Sequence, residues 1–139
     1  MTLPTTLPTT LPTTRTKIQA RYSDTDAMGH FSSGSYVTFM EVGRLDFFEA
    51  IAEQTGGTPS TVVANITVDI LRECRYGDAL EVVSWCSRIG NKSLTISSEL
   101  YANGQLVAKG SVTNVGFDMQ TRTSAPLPES WKLSQNPVQ

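Results

Sequence analysis

Tyr36, Met40, Gly43, Phe47 and Ile51 recur at three- and four-residue intervals, and Val37, Phe39, Leu45 and Phe48 widen the apolar surface beyond a narrow stripe. A helix apolar over so much of its circumference must be largely buried, so the rest of the chain has to enclose it. Asp46, Glu49 and Glu53 are expected to form its solvated strip, and Gly56 and Gly57 to stop it. The flanking segments supply the enclosure. RTKIQARYS, from Arg15, predicts a first strand. TVVANITVDILRE alternates, with Val62, Ala64, Ile66, Val68 and Ile70 on the expected buried face and Asn65, Thr67 and Asp69 on the other, which predicts a half-buried strand. Tyr76–Gly77–Asp78 turns the chain into ALEVVSWCSRI, and Gly90 with Asn91 turns it again into KSLTISSELY. Asn103–Gly104 between alternating runs is a strong hairpin signal, leading into QLVAKGSVTNVGFD, after which Pro126 and Pro128 are expected to end regular structure. A strand, a long helix and four strands joined by tight turns predict the α+β class, an antiparallel sheet of about five strands around one central helix.

The chain has 139 residues, enough for one domain that buries about two thirds of its unfolded surface. A net charge of -2 with 11 basic residues, none in a run, leaves no footprint for nucleic acid or an anionic membrane. No stretch approaches the ~20 apolar residues that span a bilayer, and the N-terminus lacks a secretory pattern, so a cytoplasmic location is expected. Cys74 and Cys86, with a single histidine in the chain, suggest two buried thiols and neither a disulfide framework nor a metal site. The Leu-Pro-Thr-Thr repeat beginning at Leu3, Leu7 and Leu11 marks residues 1–14 as a low-complexity tail. The compact domain is expected to span 15–130, with a C-terminal tail over 131–139.

RYSDTDAMGHFSSGSY, Arg21 to Tyr36, joins the first strand to the helix and carries the chemistry. A serine or cysteine nucleophile would need a base beside it, and one histidine with no GxSxG elbow leaves the usual hydrolase constellations absent. No glycine-rich phosphate loop is present either, so nucleotide-driven chemistry is not indicated. Catalysis must then use carboxylates, and Asp24 and Asp26 are the candidates. Ser32, Ser33 and Ser35 can each cap the helix, whose free amides favour developing negative charge. The residues alone leave a second reading open, in which the aspartates cap turns and His30 is a packed, hydrogen-bonded residue.

Asp24-Thr25-Asp26, then Gly29-His30, Tyr36, Glu41 and Arg44, resembles the signature of the 4-hydroxybenzoyl-CoA thioesterase family of hotdog-fold proteins. The similarity continues through Arg75–Asp78 (RYGD), Ile89–Ser93 (IGNKS), Tyr101–Gly110 (YANGQLVAKG) and Pro126–Pro128, covering the chain from about Arg15. The resemblance implies an acyl-CoA thioesterase that releases a fatty or aromatic acid and CoA. Asp26 would act as general base or as nucleophile, with the Ser33 backbone amide, or that of Gly34, polarising the thioester carbonyl. His30 would line the site and Tyr36 the acyl pocket; Lys92 and Ser93 would meet the nucleotide end of CoA. Glu41 and Arg44 read as a partly buried ion pair, and Asn65 and Asp69 as exposed strand residues. No metal or separate cofactor is implied, because CoA belongs to the substrate. Sites in this family form between subunits, so a homodimer or a dimer-of-dimers homotetramer is expected. Many relatives carry two asparagines where this chain has Ser32 and Ser33, which places the departure at substrate preference. The rival readings are a noncatalytic acyl-CoA binding protein and a hotdog-fold dehydratase, whose DxNPxH-type pattern is absent.

Overall fold

The computed structural model describes residues 11–56 and 60–133. Strand β1 (Thr13–Ile18) leads through a 3-10 turn (Tyr22–Asp24) into helix α1 (Ser33–Thr55). Strands β2 (Thr61–Ile70), β3 (Leu80–Ile89), β4 (Ser93–Ala102), β5 (Gln105–Asp118) and β6 (Thr123–Ser124) follow, then helix α2 (Glu129–Leu133). The sheet runs β1-β3-β4-β5-β2 with β6 on β5, and every pairing is antiparallel. The sheet wraps α1, the hotdog arrangement expected of the α+β class.

Tyr36, Phe39, Met40, Gly43, Phe47 and Ile51 are all buried, as the helical spacing requires. Leu45 departs from that reading: it is 60% exposed, on a side of α1 that no strand covers. Asp46 also does more than meet solvent, since Thr16 Oγ1 of β1 donates to its carboxylate at 2.6 Å. The helix ends at Gly56, whose φ of 81° gives a left-handed cap that returns its amide to Ala52 O. Gly57, the second expected stop residue, lies outside the described residues.

Seating of α1 on the sheet depends on Gly43. A Cβ there would lie 2.5 Å from Val82 Cγ1 and 3.0 Å from Ser84 Oγ, so only glycine lets the helix backbone approach β3 this closely. Apolar side chains collect on both sides of that contact. Phe31, Tyr36, Phe39, Met40, Leu80, Val82 and Leu100 fill the end beside the helix N-terminus. Phe47, Ile51, Leu94, Ile96, Leu127 and Trp131 fill the other.

Two expectations change at the margins. β2 is not half-buried: Val62, Val63, Ile66 and Ile70 are all exposed, because β2 is the edge strand away from β1 and α1 packs mainly over β1, β3 and β4. Its single apolar face is also broken, since the register shifts between Val63 and Asn65. Val63 pairs with buried Asn114 and Ile66 with buried Val112, so the inward set changes parity across the bulge. At the C-terminus, regular structure resumes after Pro128, and Trp131 is 1% exposed within the core. The packed unit therefore extends past residue 130, while residues 1–10 and 134–139 of the expected tails lie outside the described residues.

Gly43→Val is expected to destabilise the fold by about 2–3 kcal/mol, the range for forcing side-chain volume into a packed core. Gly34→Ala, where a Cβ meets nothing within 4 Å, should be neutral or mildly stabilising. Urea denaturation of the two variants against wild type checks this contrast.

Candidate active site

The connection between β1 and α1 is built from two consecutive turns. In the first, the Asp24 carboxylate accepts the Arg21 amide at 2.8 Å and the Arg21 guanidinium at 3.1 Å. Those bonds, the backbone one foremost, hold the Asp24 carboxyl below its usual range. In the second, Asp26 Oδ1 accepts the amides of Met28 at 2.8 Å and His30 at 3.2 Å. The Asp26 amide donates to His30 O at 2.7 Å, and Gly29, at φ 83°, closes the turn. Oδ2 of Asp26 has no hydrogen-bond partner among the described residues, and the side chain is exposed. One oxygen is thus anchored and the other faces outward.

Neighbouring backbone fixes this turn to the domain. Thr25 bridges to Phe31 and His30 to Arg75, while the Phe31 amide donates to Cys74 O at 3.3 Å. The Asp24 main-chain oxygen accepts the Ser32 amide at 3.1 Å and the Ser35 hydroxyl at 2.7 Å, tying the turns to the first turn of α1. Ser32 is the N-cap residue, yet its hydroxyl makes no capping bond and lies 3.0 Å from Ser35 Oγ instead. The amides of Ser33 and Gly34, both exposed, have no acceptor among the described residues and form a donor pair at the positive end of the helix.

Asp26, His30, Ser33 and Gly34 therefore gather at one end of the fold. Tyr36 is at the same end but is 2% exposed, and its hydroxyl accepts the Cys74 amide at 3.2 Å. Burial, with the Cys74 side chain, pushes the Tyr36 phenol up to about 12. Lys92 and Ser93 lie at the opposite end: Ser93 begins β4, whereas Ala102 at its other terminus pairs with Leu80. Ten residues of strand separate the two ends by roughly 30 Å. One chain does not bring Lys92 to Asp26.

Glu41 and Arg44 form the expected pair at 3.6 Å, with Arg44 nearly buried and Glu41 largely exposed. Asn65 and Asp69 are exposed, Cys74 is buried and Cys86 half-buried. Sequence reasoning did not single out Glu73, whose Oε2 lies 2.9 Å from His30 Nδ1. No sequence spacing joins those two residues; the His30–Arg75 bridge does.

The sheet wrapped on one helix thus carries a free carboxylate oxygen close in sequence to that helix's unpaired amides. A family model described as the thioesterase-like superfamily matches residues 20–133. A predicted thioesterase from Bacillus stearothermophilus is similar in structure at TM-score 0.79 and 30% identity, covering 88% of this chain and 92% of that one. A thioesterase complexed with coenzyme A and Zn from Thermus thermophilus is similar at TM-score 0.74 and 29% identity, covering 86% and 89%. In Bacillus subtilis (strain 168), "Putative acyl-CoA thioesterase YneP" is 25% identical over 114 residues, 77% of this chain and 81% of that protein. The match to YsmA of the same organism, 28% identical over 81 residues, spans 58% of this chain and 55% of that protein's length. The chain belongs to the thioesterase-like superfamily and is an enzyme of the thioester-hydrolysing class.

Because Asp24 has its folded-state pKa lowered, its contribution to stability is present above the unfolded value near 3.8 and is lost as pH falls through the lower folded value. Asp24→Asn is expected to lower the Tm at pH 7, with the difference from wild type shrinking once the pH drops below 3.8. Thermal melts across that range check the sign.

Proposed function

We propose that the chain hydrolyses an acyl-CoA, with Asp26 as the reacting carboxylate and the Ser33 amide, flanked by that of Gly34, as the oxyanion donor. The observation that carries this reading is the asymmetry of Asp26: Oδ1 holds two backbone amides and Oδ2 has no partner among the described residues. A carboxylate held this way has one oxygen to take a proton from water or to attack a carbonyl carbon. As tetrahedral charge develops on the thioester oxygen, two amides at a helix N-terminus stabilise it by about 3–4 kcal/mol per well-placed donor. The carbon–sulfur bond then breaks, and the CoA thiolate leaves with the proton that water surrendered. The coenzyme A in the Thermus thermophilus thioesterase supports a CoA thioester as the substrate class.

The same reading calls for a second copy. Lys92 can serve the nucleotide phosphates of a substrate at Asp26 only if it comes from another chain. Antiparallel two-fold pairing of β2 would do this, because β2 runs from Thr61, beside the Ser93 end of the sheet, to Ile70, beside the Asp26 end. It would also cover the exposed Val63, Ile66 and Ile70 and satisfy the edge of the sheet. Each site would then combine Asp26, His30 and the helix amides of one protomer with Lys92 and Ser93 of its partner.

A panel of fatty and aromatic acyl-CoAs with thiol detection tests the activity. Asp26→Asn is expected to lower kcat by about 10²- to 10⁴-fold while ligand binding persists. Release of CoA at the same background rate by wild type and Asp26→Asn, with ligand still bound, would leave a binding protein instead. Lys92→Ala is expected to raise KM, and mixed dimers of Asp26→Asn with Lys92→Ala should regain sites with wild-type KM. No recovery on mixing would place Lys92 outside the site.

A further inference from the structure

We propose that Glu73 is a positioning residue for this reaction: it accepts the Nδ1–H of His30 and so fixes the imidazole in the tautomer whose Nε2 is a hydrogen-bond acceptor. The inference rests on the thioesterase reading for its chemistry but on separate geometry for its assignment. Glu73 Oε2 lies 2.9 Å from His30 Nδ1, which puts a carboxylate oxygen against that ring nitrogen. The main chain leaves the imidazole little freedom to be elsewhere. The His30 amide donates to Asp26 Oδ1 at 3.2 Å, its carbonyl accepts the Asp26 amide at 2.7 Å, and residue 30 bridges to Arg75. His30 is thus tied to the Asp26 turn through its backbone and to the β2–β3 connection through its ring.

Nε2 has no partner among the described residues, although the His30 side chain is 23% exposed. The tautomer of a neutral histidine is set by the bond its other nitrogen makes, so a carboxylate on Nδ1 leaves a lone pair on Nε2. That lone pair accepts one hydrogen of the hydrolytic water. The second hydrogen passes to Asp26 Oδ2 as the water oxygen bonds to the thioester carbon, and Asp26 returns it to the departing thiolate. His30 then aims the water without gaining a net proton, and Asp26 alone carries the proton.

The two tautomers present different groups to the water. With Nε2 protonated, His30 would occupy a lone pair of the water oxygen, the atom that must bond to the thioester carbon, and would leave one fewer acceptor to orient its hydrogens. Glu73 is largely exposed, so the effect of the bond is orientation more than stability.

His30 is the chain's only histidine, which makes the assignment directly readable by two-bond proton–nitrogen NMR. At about pH 8.5 the wild type is expected to show the Nδ1–H form. Glu73→Ala is expected to shift the population toward Nε2–H and lower kcat about tenfold with KM little changed. Glu73→Gln, which keeps an acceptor oxygen, is expected to restore most of both. An unchanged tautomer in Glu73→Ala would overturn the assignment, and so would a shifted tautomer with wild-type kcat. The NMR signature needs no turnover, so failure of the acyl-CoA panel would be distinguishable from failure of Glu73 to set the tautomer.

Discussion

The main-chain oxygen of Asp24 joins the reactive turn to the helix. It receives the Ser32 amide at 3.1 Å, the Ser35 hydroxyl at 2.7 Å and, more weakly, the Ser32 hydroxyl at 3.4 Å. The helix it binds is held by burial of Tyr36, Phe39, Met40 and Phe47 and by the close approach at Gly43. Rigidity of the core is thereby passed to Asp26, two residues further along. Ser32, one of the two serines at which the family resemblance expects asparagine, is used in this joint together with Ser35. Since Ser32 directs its hydroxyl to Asp24 and Ser35, no side chain among the described residues caps the first amides of α1. Those amides stay available, as the proposed oxyanion role requires.

The two aspartates divide their labour for reasons visible in their bonds. Asp24 gives both carboxylate oxygens to Arg21, one to its amide and one to its guanidinium. A carboxylate with both oxygens engaged and its charged form favoured is a poor base and a good anchor. Asp26 engages one oxygen and keeps the other. Separation of roles between residues so close in sequence needs the change of direction between the 3-10 turn and the Gly29 turn; in a straight extended segment both would point to one side.

Much of this was legible in the sequence, and where it was not the reasons are physical. The helix declared itself because burial of one face imposes a 3.6-residue repeat on Tyr36, Met40, Gly43, Phe47 and Ile51. The tight turns at Gly77 and Asn103–Gly104 declared themselves because residues at positive φ come from a short list. The bulge beside Ala64 did not, since a parity change in β2 leaves every residue type equally apolar and only its partner strand reveals the slip. Trp131 was missed because two prolines ahead of it read as an ending, whereas the chain folds back to bury its ring beside Phe48. His30 and Glu73 could not be paired from sequence, because the contact depends on an isolated bridge between distant segments.

The uncovered flank of the molecule ties these points together. Val63, Ile66 and Ile70 on β2 and Leu71 after it are large apolar side chains left exposed along that edge of the sheet. Beside them Arg44 is nearly buried and paired with Glu41 at 3.6 Å, and burial pulls its guanidinium below its ordinary value. A guanidinium has five donors, so this environment is costly until further acceptors arrive. Under the two-fold pairing proposed for β2, the second copy removes the apolar surface from water and brings new main-chain acceptors to this flank. In that arrangement the same contact would set Lys92 of one protomer beside Asp26 of the other. Stability and substrate binding would then draw on one interface: a chain that failed to pair would lose its phosphate-binding end and keep an intact, but incomplete, Asp26 turn.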